Sequence, residues 1–204
     1  MKHIYYISSS IFPNRSANLI HTKKMCEAII SLGYINTLFL SRKIFFYNKR
    51  NILDINCNEN NIYSFYNPTV KSTELINAIL AIIVYFIDCL KNKKPDLIIS
   101  RNIFSSFFFT YFTRTRLIYE THIPEKGLRK FIQKNLFKKK NLKKAVISNK
   151  LREIICDQYN IKDLKNIIVL HDAADDFEQN FNELIRPEKK YSNLDDEKIK
   201  ERFR

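Results

Sequence analysis

Glycine is nearly missing from this 204-residue chain, where only Gly33 and Gly127 occur. The dinucleotide fingerprint and the P-loop both need several glycines for close backbone approach to phosphate, so both are excluded. The four cysteines, Cys26, Cys57, Cys89 and Cys156, include no CxxC pair. Three of them fall in apolar patterned segments, which reads as reduced core thiols in a cytosolic protein and not as a zinc site. No metal or cofactor is expected. No signal peptide is read at the start, since Met1-Lys2-His3 leads directly into strand-like Ile4-Tyr5-Tyr6-Ile7.

Acid is scarce over most of the chain. Up to His171 there are 28 Lys or Arg against 11 Asp or Glu, or +17; from Asp172 onward the balance is 7 against 10, or −3. A basic body with a mildly acidic tail points to an anionic partner: nucleic acid, anionic lipid or a phosphorylated substrate. Nucleic acid is the weakest of the three, because no known motif or regular aromatic interleaving accompanies the charge.

An apolar content of 45% supports an ordinary globular core. The clearest stretch runs from Pro95 to Pro124. Asp96-Leu97-Ile98-Ile99-Ser100 and Arg116-Leu117-Ile118-Tyr119-Glu120 read as strands buried on both faces, as parallel sheets require. Ile103 to Thr113 has the length of a helix crossing between them. Both strands end in polar residues, Ser100-Arg101-Asn102 and Glu120-Thr121-His122-Ile123-Pro124. Ligands of open α/β sheets sit beyond the carboxyl ends of the strands, so a binding site is expected at Arg101, Glu120 and His122.

The remainder fits the same alternation. Ile4 to Ser8 reads as a first strand, followed by a polar loop and a helix capped by Ser16. In that helix Leu19, Ile20, Met25, Ala28, Ile29 and Leu32 recur at helical spacing, and Gly33 provides the stop. Tyr34 to Leu40 reads as a strand, Lys43 to Asn61 as a loop, and Ile62 to Phe65 as a short strand. Leu75 to Leu90 reads as a buried crossover helix in which Ile76, Ile79, Leu80, Ile83, Val84 and Ile87 form a continuous face. It falls short of the roughly 20 apolar residues of a membrane span and contains Asn77 and Asp88. Phe107, Phe108 and Phe109 read as core.

Lys126 to Lys144 holds nine Lys or Arg and no acid. Leu128, Phe131, Ile132 and Leu136 fall on one helical face. The segment reads either as a surface helix on the sheet or as an electrostatic dock for anionic lipid, with Arg129, Lys130, Lys138, Lys139 and Lys140 as membrane contacts. Ala145 to Ile147 reads as a strand, Ser148 as the cap of a helix from Lys150 to Tyr159, and Ile167 to Leu170 as a last strand. The whole predicts a doubly wound, mostly parallel Rossmann-like sheet over residues 1–177, with a charged linker or tail over 178–204.

Several of these segments together resemble family 4 glycosyltransferases of the GT-B fold. Ser8-Ser9-Ser10 to Ala17, then Met25-Cys26-Glu27-Ala28 to Gly33-Tyr34, resembles the first βαβ unit of their amino-terminal domain. Ser100-Arg101-Asn102, Tyr119-Glu120-Thr121-His122-Ile123-Pro124 and Ala145-Val146-Ile147-Ser148 look like its later strand ends. His171 to Phe177 is similar to the segment entering the interdomain hinge, with Asp172 and Ala173 where the family has Asn-Gly. The resemblance implies that His122 lies beside the transferred sugar as the catalytic histidine. It also implies that Ser9, Ser10, Asn14, Arg15, Arg101 and Glu120 contact substrate. A nucleotide-sugar donor and a glycan or lipid-linked acceptor at the cytoplasmic membrane face are implied, with retention of anomeric configuration.

The family's second domain, which holds the nucleotide sugar, has no counterpart before Arg204. The expectation is therefore an acceptor-side half, from a truncated gene, a split enzyme with a separately encoded second domain, or a fragment, and inactive alone. The rival reading is a non-catalytic basic Rossmann-like module that binds anionic membrane or an acidic partner. His3 and His21 are read as structural, and His171 and Asp172 as hinge residues.

Overall fold

The structure, a computed structural model, describes residues 2–12, 17–42, 62–66 and 73–170. All belong to the first of two units, Met1–Asp172; the second, Ala173–Arg204, lies outside the described residues. So do Asn14, Arg15, Ser16, Cys57, the Lys43 to Asn61 segment and the expected hinge from His171 to Phe177.

Twelve elements alternate along the described residues. They are β1 (His3–Phe12), α1 (Ala17–Ser31), β2 (Ile35–Arg42), β3 (Ile62–Tyr66), α2 (Thr73–Leu90) and β4 (Leu97–Ser100). After these come α3 (Ile103–Phe112), β5 (Arg116–Thr121), α4 (Gly127–Lys138), β6 (Lys143–Val146), α5 (Asn149–Tyr159) and β7 (Ile167–Val169). Every strand pairing is parallel, in the order β3-β2-β1-β4-β5-β6-β7. The order reverses direction at β1, so right-handed crossovers place α1 on one face and α2 to α5 on the other. Two core clusters follow: Ile4, Tyr6, Cys26 and Leu38 under α1, and Tyr5, Ile98, Phe109, Leu136 and Ile155 under the opposite helices. This is the doubly wound α/β fold that the alternation predicts.

Local signals explain the helix ends. Gly33 has φ +77, and its N–H donates to Ile30 O at 2.8 Å while Tyr34 N reaches Ile29 O at 3.2 Å, a left-handed stop for α1. Asn102 Oδ1 accepts from Phe104 N at 3.0 Å and Ser105 N at 3.2 Å, capping α3. Ser148 Oγ accepts from Leu151 N at 3.1 Å and caps α5 as expected.

Three helices bury only part of the apolar set read from sequence, and each adds a buried polar anchor. α1 buries Leu19, Thr22, Cys26 and Ile29, leaving Ile20 and Leu32 exposed. Its anchor is Thr22, whose Oγ1 meets Ser8 Oγ at 2.7 Å. α2 turns Asn77, Ala78, Ala81, Val84 and Tyr85 to the sheet, and Ile79, Ile83 and Ile87 outward. There Asn77 Nδ2 donates to Ser8 O at 3.1 Å, and Asp88 accepts from Tyr5 OH. The small Ala78 and Ala81 allow close approach to the sheet.

In α4, Gln133, Leu136 and Phe137 are buried, while Leu128 and Phe131 point outward. Gln133 is fully buried and fully used. Its Nε2 donates to Thr121 Oγ1 at 3.0 Å, Ile123 O at 3.1 Å and Tyr119 OH at 3.2 Å. Its Oε1 accepts from Tyr159 OH at 2.6 Å and from Glu125 N at 2.9 Å. Because removing a buried hub strands its partners without water, Gln133→Leu is expected to destabilise the chain by about 2–3 kcal/mol in urea titration. A loss below about 1 kcal/mol would show that water replaces those bonds.

Candidate functional site

Parallel register brings three strand ends to one rim. Ile7 pairs with Ser100, and Ser100 with Tyr119, so the next residues, Ser8, Arg101 and Glu120, emerge side by side. Arg101 N donates to Ile7 O at 2.9 Å, extending the ladder to the edge of the sheet. A cleft of about 390 Å³ opens there, and Ser9, His21, Arg101, Glu120, His122 and Arg129 are among its lining residues.

Glu120 Oε1 is the meeting point. His122 Nε2 lies 3.0 Å from it, His21 Nε2 3.2 Å and Arg101 Nε 3.6 Å. The two imidazoles stand edge to face, with ring centroids 5.9 Å apart. Burial pushes the Glu120 carboxyl up, but the bonds from His122 and His21 and the charge of Arg101 outweigh it and hold the group at about 2. An ionised carboxylate only accepts, so His122 presents an Nε2–H to it and its ring orientation is fixed. The Arg101 side chain is 5% exposed. Its buried Nε and Nη1 make no hydrogen bond, which leaves its charge balanced mainly by the longer contact with Glu120.

A second cluster closes the other side. Arg129 grips Glu125 with two bonds of 2.7 and 2.6 Å and donates to Glu74 at 2.6 Å, with the Phe104 ring 5.7 Å beneath it. The Glu125 bonds raise the Arg129 pKa against the effect of burial, and Glu74 raises it further. Burial pushes Glu74 up against the pull of Arg129. The loop between the clusters, His122 to Glu125, is tied to α4 through Gln133.

Ser9, Arg101, Glu120 and His122 therefore share one cleft. Ser10 does not join them. Where β1 shifts register between Ile7 and Ile11, Ser8 and Ser10 both meet Thr22, and Ser10 Oγ sits 3.2 Å from Thr22 Oγ1. Ser9 accepts from Asn18 Nδ2 at 3.1 Å, at the start of the same helix. Arg129, read from sequence as a membrane contact, is held in the cleft by two carboxylates. Lys130, Lys138, Lys139 and Lys140 remain exposed. His21, read as structural, lines the cleft one turn beyond Asn18. The i, i+3 polar pair at the start of α1, just after a polar strand end, was the available signal. Among the described residues no group of His, Cys, Asp and Glu could hold a metal ion.

No family model matches the chain, and no curated protein does. Among solved structures it is similar to a glycosyltransferase from Rickettsia africae ESF-5 at 17% identity and a TM-score of 0.53, covering 98% of this chain and 48% of that one. It also aligns with Phytolacca americana UGT2, solved with UDP-2fluoro-glucose and pterostilbene. That match has 11% identity and a TM-score of 0.38 over 60% of this chain and 30% of the other, too slight to add to the fold. The first likeness is one of fold: this chain spans about half the length of the Rickettsia protein.

The Glu120 site sets an acid limit on stability. A folded pKa of about 2 against an ordinary 4.5 means that its contribution is fully present above the ordinary value and is lost as pH falls toward 2. That amounts to roughly 3 kcal/mol. The stability gap between wild type and Glu120→Gln should therefore close as pH falls from about 6 to about 2.5 in denaturant titrations. A gap constant over that range would mean that the carboxylate is not held by its neighbours.

Proposed function

We propose that this domain is the acceptor-side wall of a glycosyltransferase that moves a sugar from a nucleotide donor to a glycan or lipid-linked acceptor. The observation that carries the reading is the strand-end cleft in which one buried carboxylate orients His122 beside Arg101. The fold likeness to half of the Rickettsia glycosyltransferase supports it, and so does the order of strand-end residues that resembles family 4 enzymes.

The chemistry asks for these residue types. Glycosyl transfer passes through an oxocarbenium-like state while negative charge grows on the departing diphosphate. His122, fixed by Glu120, presents a polar ring edge to the sugar or the acceptor hydroxyl. Arg101 supplies positive charge in a site with little access to water, where such charge acts strongly. Ser9, with Asn14 and Arg15 from the following loop, would contact the acceptor. The rival reading, a non-catalytic basic module, assigns no role to a desolvated Arg101–Glu120–His122 cluster.

On this reading the donor wall is a second Rossmann-like domain, as the chain's coverage of about half of the Rickettsia protein suggests, and the residues here form one wall of the cleft. Incubation of the purified chain with a panel of nucleotide sugars is expected to release no nucleoside diphosphate; turnover would overturn the need for a second wall. In an enzyme reconstituted with that domain, His122→Ala is expected to lower kcat by about 10²-fold or more. Near-wild-type turnover would remove His122 from the chemistry.

A further inference from the structure

α2, α3 and α4 lie side by side on one face of the sheet, α3 in the middle. Their outer surface is unusual in two ways. First, α2 presents Leu75, Ile79, Ile83, Phe86, Ile87 and Leu90 as one outward stripe, with Leu90 at 86% exposure. The stripe continues sideways through Tyr111 and Phe112 of α3 to Leu128 and Phe131 of α4, which are 73% and 65% exposed. Second, among the described residues the ionised groups that these helices leave on this surface are cations. α3 and α4 contain no acid, and the two acids of α2 are engaged inward, Glu74 by Arg129 and Asp88 by Tyr5. Lys130, Lys138, Lys139 and Lys140 are exposed beside it, and Lys139 Nζ stands 4.5 Å over the Tyr111 ring.

We propose that this face docks on an anionic lipid bilayer, with the α2 stripe entering the headgroup and acyl boundary and the α4 lysines meeting anionic headgroups. Apolar side chains on one face with lysines beside them match what an interfacial surface needs: area to bury and positive charge to attract. No helix among the described residues is long and apolar enough to cross a membrane, so the contact is made along the surface. Charge selects lipid over a second copy of the chain, because a face-to-face dimer would bring two unneutralised lysine rims together. The basic helix alone, the dock suggested by sequence, supplies attraction without insertion; α2 supplies the apolar area.

The docking face also reaches the cleft. Leu75 follows Glu74 and Leu128 precedes Arg129, and both Glu74 and Arg129 line it. A bilayer under this face would hold a lipid-borne acceptor beside the cleft mouth. Only that last step rests on the transferase reading, since docking is measured without a sugar donor.

The test is flotation of the full chain with phosphatidylcholine vesicles containing about one-third phosphatidylglycerol or none. Binding to the anionic vesicles is expected, weaker by about tenfold or more on neutral ones. Ile79→Ser/Ile83→Ser/Leu90→Ser should weaken anionic binding by about tenfold or more with an unchanged far-UV circular dichroism spectrum. Ile83→Ser alone, a half-exposed position, serves if the triple variant misfolds. Lys138→Glu/Lys139→Glu/Lys140→Glu should abolish the preference for anionic lipid. Unchanged vesicle affinity in the folded apolar variant would overturn the proposal. So would a chain that ignores vesicles but sediments as a dimer that the apolar substitutions dissociate.

Discussion

Register in the parallel ladder is the constraint on which the rest depends. A strand's side chains alternate faces, so sliding one strand by a single residue exchanges its two sets. With Ile7, Ser100 and Tyr119 level across β1, β4 and β5, Arg101 and Glu120 leave the sheet at the same height. A slip of one residue in β5 would send Glu120 to the opposite face and bring Tyr119, now in the core under α2 to α5, to the other side. The apolar core and the polar rim are therefore specified by the same pairing. Burial of Ile98, Leu117 and Tyr119 fixes the site as firmly as any contact within it.

Within that frame, one carboxylate organises the cleft. Glu120 is costly to bury as an anion, and His122, His21 and Arg101 around a single oxygen more than offset the cost. The arrangement is asymmetric. Arg129 on the far side is matched by Glu125 and Glu74 at hydrogen-bond distance, whereas Arg101 Nε lies 3.6 Å from Glu120. The cleft thus holds two arginines beside glutamates, one at hydrogen-bond distance and one at longer range.

The fold was largely legible in the sequence, and the orientation of its helices was not. Short apolar runs ending in polar residues located β4 and β5 within a residue, and Gly33 and Ser148 marked helix ends correctly. Apolar periodicity located α1, α2 and α4 and part of the face each buries, Leu19 and Ile29, Val84, and Leu136, but not the polar residues beside them. In each case a single polar side chain, Thr22, Asn77 or Gln133, finds its partner only in the assembled structure and sets the rotation. The site divides in the same way. Arg101, Glu120 and His122 were legible because strand-end position alone predicts a shared rim. His21 had only the polar pair with Asn18 to mark it, and its place beside Glu120 follows from how α1 packs on the sheet. Arg129 looked like one cation among nine, and only the tertiary placement of Glu74, 55 positions away, distinguishes it. Ser10 is buried against Thr22 because β1 shifts register within the three serines, an irregularity that the run itself does not reveal.

The rotation of α2 has an energetic meaning of its own. Fully burying a Leu, Ile or Phe side chain contributes about 1.5–3 kcal/mol relative to leaving it in water. Turning Ala78 and Ala81 to the sheet in place of Ile79 and Ile83 gives up part of that contribution at successive turns. Asn77 and Asp88 return about 1 kcal/mol each through their hydrogen bonds, less than the apolar area left outside. Packing restores some of the difference, because alanines let the helix sit close to strands already filled by Tyr5, Phe39 and Ile98. Polar residues on the outer side of α2 would leave those inward contacts intact and raise solubility. The apolar stripe therefore contributes little to holding this domain together, and its physical consequence lies at the surface.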